Sequence, residues 1–126
     1  EGVITGLHYV PTLDNPENAA FVAAFKAKTG RIPSEYAVQG YDSARALVEA
    51  VKAGATDRQS LAAALPKVSF TGPRGDLRID PATNNIVQPI HVYETVAVAE
   101  GLTQKVLATL PAEADPANGC EMPTVN

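Results

Sequence analysis

The apolar pattern of this chain changes period near Pro66, and no other feature constrains the fold as much. From Pro16 to Pro66 apolar residues recur every three to four positions, the spacing of one helix face. Beyond Pro66, and again in the first ten residues, they alternate as strand residues do. Asn15 suits an N-cap, Pro16 a first helical position and Gly30 a helix stop. Between them Ala20, Phe21, Ala24 and Phe25 form one stripe, with Lys26 and Lys28 placed to complement the helix dipole.

A second helix is expected from near Asp42 to Gly54, with Ala44, Leu47, Val48 and Val51 on its apolar side. A third is announced by Thr56 and Gln59 at capping-box separation, and it runs through Leu61 and Leu65 to Pro66. Residues 2–10 read as a strand, VSFTGPRGDLRID as a hairpin around Gly-Pro-Arg-Gly, and residues 86–110 as a β-rich end bent at Glu100-Gly101. The fold class is α/β in the order β-ααα-βββ. Three amphipathic helices need a sheet to cover them, and one early strand with a few late ones supplies only part of it. The chain also opens at Glu1 inside a strand-like run, without methionine or a leader, and reads as a processed form or a piece of something longer.

Composition excludes several functions. The ten Lys and Arg residues are scattered against fourteen Asp and Glu, for a net charge of −4, so no basic face exists for nucleic acid. No apolar run approaches the ~20 residues that span a bilayer. Cys120 stands alone and cannot close a bridge within the chain. It is either an incidental thiol or one whose partner lies in other sequence, as an oxidising compartment would allow.

Catalytic and metal chemistry are not evident. His8 and His91 alternate with apolar neighbours inside expected strands, where a histidine is more often packed than catalytic. No HExxH, CxxC or glycine-rich phosphate loop occurs, so no cofactor is implied. DPATNN from Asp80 has Ala82 where a calcium loop needs an oxygen. Arg74-Gly75-Asp76 is explained by turn chemistry.

The tyrosines remain. In YAVQGYDSARALVEAVKAG, Tyr36 and Tyr41 flank Gln39-Gly40, a stretch that reads as a short strand handing over to a helix. Tyr9 ends the first strand. Tyrosine pairs an apolar face with one hydroxyl, which suits a pocket that must stack on a ligand and orient it. Ligands of open α/β sheets bind at the carboxyl ends of strands, where all three residues are expected. Tyr41 is the one best explained by sealing the core edge.

Three spaced motifs occur in order: FxxxFxxxxGxxP from Phe21, YxxxxYDxA from Tyr36 and FxGPxGxLxID from Phe70. Together with GVITGLHYVP they resemble the carboxyl-terminal part of the type I periplasmic solute-binding proteins, the leucine/isoleucine/valine-binding group of ABC importers. The resemblance reaches to about Thr95. It implies a portion of a two-lobed fold that closes on a solute by hinge motion. Residues 1–11 would be a second-lobe strand, 12–80 first-lobe helices, 86–110 strands returning to the second lobe, and 111–126 a tail. Tyr36, with Gln39 and Tyr9 as weaker candidates, would face the ligand. The implied solute is an amino acid or an aromatic or small carboxylate. The implied partners are a membrane permease and the remaining part of the same protein, in the periplasm or another extracytoplasmic space. The alternative is a ligand-sensing domain of a receptor or regulator with the same fold. The implied role is binding, not catalysis.

Overall fold

The structure is a computed structural model that describes residues 1–116 and Gly119; Cys120 lies outside the described residues. Helix α1 spans Pro16–Thr29. Asn15 caps it by accepting from the Asn18 backbone amide at 2.7 Å, and Gly30, at φ 71°, closes it by donating its amide hydrogen to the Lys26 carbonyl. A left-handed residue costs glycine no steric penalty, which is why the helix stops there.

Helix α2 spans Glu35–Lys52, seven residues longer at its start than the expected beginning near Asp42. Tyr36 to Gly40 is therefore helical, not a short strand. The β-favouring look of Tyr-Ala-Val-Gln is overridden because Val38, Asp42, Ala46 and Ala50 make a continuous i, i+4 row on one face. That row, not the Ala44-Leu47-Val48-Val51 side, is what the chain buries: Val38 and Ala50 are fully enclosed, whereas Leu47, Val48 and Val51 stay about half exposed. Helix α3, Arg58–Ala64, is started by Asp57 and Ser60, one residue later than the Thr56/Gln59 pairing expected. Asp57 accepts from the Ser60 amide at 2.8 Å and Ser60 Oγ accepts from the Asp57 amide at 3.0 Å. A 3-10 turn, Leu65–Lys67, takes the chain past Pro66.

Six strands complete the fold: β1 Ile4–Leu7, β2 Ser69–Gly72, β3 Gly75–Ile79, β4 Ile86–Val87, β5 Ile90–Val98 and β6 Gly101–Leu110. The order follows the expected β-ααα-βββ through the helices, but the final block has five strands in place of three. They form two antiparallel sheets, β1-β5-β6 and β2-β3-β4. The β2–β3 hairpin pairs Gly72 with Gly75 across Pro73 and Arg74, and β5 pairs with β6 across the expected bend at Glu100-Gly101.

Two small cores hold the helical body, one between α1, α2 and the connection after β1, the other between α2, α3 and the second sheet. Tyr9, Phe21 and Val38 form one; Ala50, Ala55 and Val68 form the other, with Leu61, Leu65, Phe70 and Ile79 against it. The β1-β5-β6 sheet is a separate body. It connects to the helical body by residues 8–15 and 88–89, and between the two lies a cavity of about 500 Å³ bounded by Leu7, Thr12, Pro33, Glu35, Tyr93 and Gln104. Thr12 Oγ1 spans the gap, donating to the Gln104 carbonyl at 2.7 Å.

Candidate functional site

The start of α2 and the connection leaving β1 meet beside that gap. Tyr36, in the first turn of α2, is 74% exposed, the most exposed of the large apolar side chains of the helical body. Three residues on, Gln39 is on the same open face, and its amide nitrogen lies 3.2 Å from Nε2 of His8 on the connection. Gly40 and Ser43 continue the open face, and a Cβ placed on Gly40 would meet nothing within 4 Å. Gln39 also stands at the mouth of a cavity of about 340 Å³ between α2 and the β2-β3-β4 sheet, lined further by Asp42, Ser43, Phe70, Arg74 and Gln88.

Tyr9 does not join this surface. Its ring is fully buried, edge-on to Phe21 with centroids 6.3 Å apart, and its hydroxyl donates to Asn18 Oδ1 at 2.9 Å. Asn18 is saturated in turn, since its Nδ2 donates to the carbonyls of Pro11 at 3.0 Å and Leu13 at 2.8 Å. Tyr9 and Asn18 thus nail the connection to the first turns of α1, and so fix where His8 emerges. Burial, and then the charge of Asp42, push the Tyr9 phenol far above its usual range, so it stays a donor. Tyr41 lies against Phe21, centroids 4.8 Å apart, at the core edge as expected.

Beneath the open face lies a buried ion pair. Arg74, in the hairpin turn, donates from Nε to Asp42 Oδ2 at 2.6 Å and from Nη1 to Gln88 Oε1. Both charged side chains are almost wholly enclosed. Burial raises the Asp42 carboxyl above its usual range, and the Arg74 guanidinium offsets only part of that rise. Because guanidinium does not deprotonate in proteins, the pair is held as an ion pair that joins α2 to the segment returning to β5. Gly72 is needed here, since a Cβ on it would sit 3.0 Å from Asp42 Oδ1. His91, also buried, contacts Thr109 Oγ1 through Nδ1 at 3.0 Å. Both histidines are held below the usual imidazole pKa, chiefly by burial; for His8 the charge of Arg74 adds to it.

Of the expected ligand residues, the structure brings Tyr36 and Gln39 together and sets Tyr9 behind them. Sequence reasoning missed His8, Asn18, Asp42, Arg74 and Gln88. Asn18 and Asp42 were detectable as polar residues in register with buried ones, at Phe21 minus three and Val38 plus four. Arg74 carries no such signal. Among the described residues no group of three His, Cys, Asp or Glu could hold a metal, and no helix is long and apolar enough to cross a membrane.

A helical body on one small sheet and a second sheet reached by two connections, with an open helix start beside them, are the architecture of part of a two-lobed solute-binding protein. The overlay on known structures agrees. The chain superposes with TM-score 0.86 and 36% identity on a solute binding protein of an ABC transporter from Rhodopseudomonas palustris BisB5 in complex with 3,4-dihydroxybenzoic acid, covering 92% of this chain and 32% of that one. It superposes with TM-score 0.80 and 39% identity on an R. palustris solute binding protein in complex with benzoate, covering 97% and 34%. In sequence it is 30% identical, over 91% of its length, to a Leu/Ile/Val-binding protein homolog of Brucella abortus, of which it spans 31%. Residues 1–101 match the family described as periplasmic binding protein. The chain belongs to that periplasmic binding protein family. It spans about a third of the length of the relatives it matches, and those relatives are solute-binding proteins.

Proposed function

We propose that this chain is the carboxyl-terminal part of the substrate-binding component of an ABC-type importer. In this reading the helices and the β2-β3-β4 sheet belong to one lobe and the β1-β5-β6 sheet to the other. The solute, an amino acid or an aromatic or small carboxylate, lies between the lobes. Tyr36 stacks on it, and Gln39 offers it a polar contact. Tyr9 positions the connection from behind. The role is binding, with a membrane permease as receiving partner and an extracytoplasmic location.

The observation that carries this is the outer face of α2. Its first half presents Tyr36, Gln39, Gly40 and Ser43, and its second half presents Ala44, Leu47, Val48 and Val51, all exposed. An apolar stripe left half exposed on a helix asks for a covering layer. The remaining two thirds of a relative's length can supply that cover for the second half and the opposite wall of a cleft for the first. Gly40 supports the division. A glycine inside an exposed helix costs roughly 1 kcal/mol against alanine, which is unexplained unless something approaches the backbone there. Solute binding closes such a protein only through contacts made in the closed state, so both lobes must reach the ligand.

The test is calorimetric titration of the full-length protein with benzoate and with leucine. Tyr36→Ala is expected to weaken the binding of whichever solute is taken up by more than ~1 kcal/mol. Because the ring touches little within the chain, thermal stability should not change. Unchanged affinity would remove Tyr36 from the site.

A further inference from the structure

The contact between Gln39 and His8 pairs two nitrogens, and that fixes its chemistry. A carboxamide NH2 only donates, so His8 Nε2 must accept, and the imidazole is neutral with its proton on Nδ1. The Gln39 NH2 is thereby engaged by the ring, and Oε1 is the end of the amide left to accept. We propose that His8 selects which end of the Gln39 amide faces the cleft: with His8 neutral the position presents an acceptor, suited to an ammonium or hydroxyl of the solute rather than to its carboxylate. The inference rests on the reading of Tyr36 and Gln39 as a cleft wall, and it adds the chemistry of the group they receive.

Protonation reverses the polarity. An imidazolium carries N–H on both nitrogens and cannot accept, so the amide must rotate to give Oε1 to the ring and turn NH2 outward. The charged groups facing His8 are Glu35 and Asp42 from α2, which favour the proton, and Arg74 from the hairpin turn, which opposes it. Burial works with Arg74, and the net direction is below the usual imidazole value. The acceptor arrangement is therefore the one present at neutral pH, and the donor arrangement appears only on acidification. The Tyr9–Asn18 anchor keeps the connection, and with it the ring, in place through the change.

Two measurements test this. Nitrogen-15 NMR of the chain should show His8 as the Nδ1–H tautomer at pH 7.5, with the Gln39 side-chain amide resonances shifting at the His8 pKa. In His8→Gln, which keeps an accepting oxygen and cannot titrate, those amide shifts should be flat with pH. Calorimetry of the full-length protein then compares leucine with 4-methylpentanoate, a pair that differs by the ammonium, which donates and cannot accept. The preference for the donor-bearing member should fall at least threefold from pH 7.5 to 5.5 in the wild type and stay constant in His8→Gln. An Nε2–H tautomer, Gln39 resonances indifferent to His8, or a preference that does not change with pH would each overturn the proposal. If no probe binds at either pH, the solute-binding reading fails, and the NMR result alone decides whether His8 orients Gln39.

Discussion

Gly40→Ala separates what the chain needs from what a missing partner needs. Gly40 lies inside the 18-residue helix α2, and its Cβ position meets nothing within 4 Å. Within this chain the substitution therefore adds no clash. It removes the backbone entropy that glycine loses on becoming helical, part of it by stiffening the unfolded chain. The expected gain is about 0.5–1 kcal/mol, read as a higher urea midpoint at unchanged m-value. For a domain of this size that corresponds to roughly 2–4 °C in Tm. In the full-length protein the proposed cleft requires the same methyl group to lower solute affinity, since that reading brings the solute or the opposite wall closest to α2 there. A destabilised chain would mean that Gly40 is required by contacts inside this fold. Full affinity in the longer protein would mean that nothing approaches it, and the reading of the α2 face would lose its main support.

Other outcomes follow from the buried groups. Arg74→Met strands Asp42 in the interior and is expected to cost about 3–5 kcal/mol, whereas the double change Asp42→Leu with Arg74→Met should recover most of it; a double variant as unstable as the single one would contradict this account of the pair. Tyr9→Phe leaves the buried Asn18 Oδ1 unpaired and should cost about 1–3 kcal/mol in urea unfolding, and a neutral effect would show that the hydroxyl does not anchor the connection. His8 and His91 are both held below the unfolded value of about 6.5, so the unfolded chain takes up their protons first. Stability should accordingly fall as pH drops from 7.5 through that value, and the fall should shrink in a His8→Gln, His91→Gln double variant; an identical slope in the variant would refute the assignment.

How much of this was legible in the sequence depends on the range of the interaction that decides each element. Most local signals agree with the structure: the Asn15 cap, Pro16, the Gly30 stop and both hairpin turns are set by residues within a few positions of one another, and only the α3 cap falls one residue later, at Asp57 and Ser60. The start of α2 was not, because Gln39-Gly40 looks like a turn and only the burial of Val38 and Asp42 in one row shows otherwise. The buried side of α2 was misjudged for a physical reason. Its more apolar side, with Leu47, Val48 and Val51, is the one the chain leaves open, and the buried side is built on small residues and a charge. Tyr36 and Gln39 stand out in the sequence as site residues although the stretch looks like a strand end, and they share a face because i and i+3 coincide on a helix. His8 and Arg74 act across 31 and 32 residues of sequence, distances at which residue pattern carries no signal.

The most direct measurement sets the 126-residue chain beside the full-length protein in one calorimetric titration with benzoate and leucine. If α2 is one wall of a cleft whose other wall lies elsewhere, the full-length protein binds one of them and the chain alone binds neither tightly. A dissociation constant in the low micromolar range for the isolated chain would contradict the account, since it would place a complete pocket within these residues.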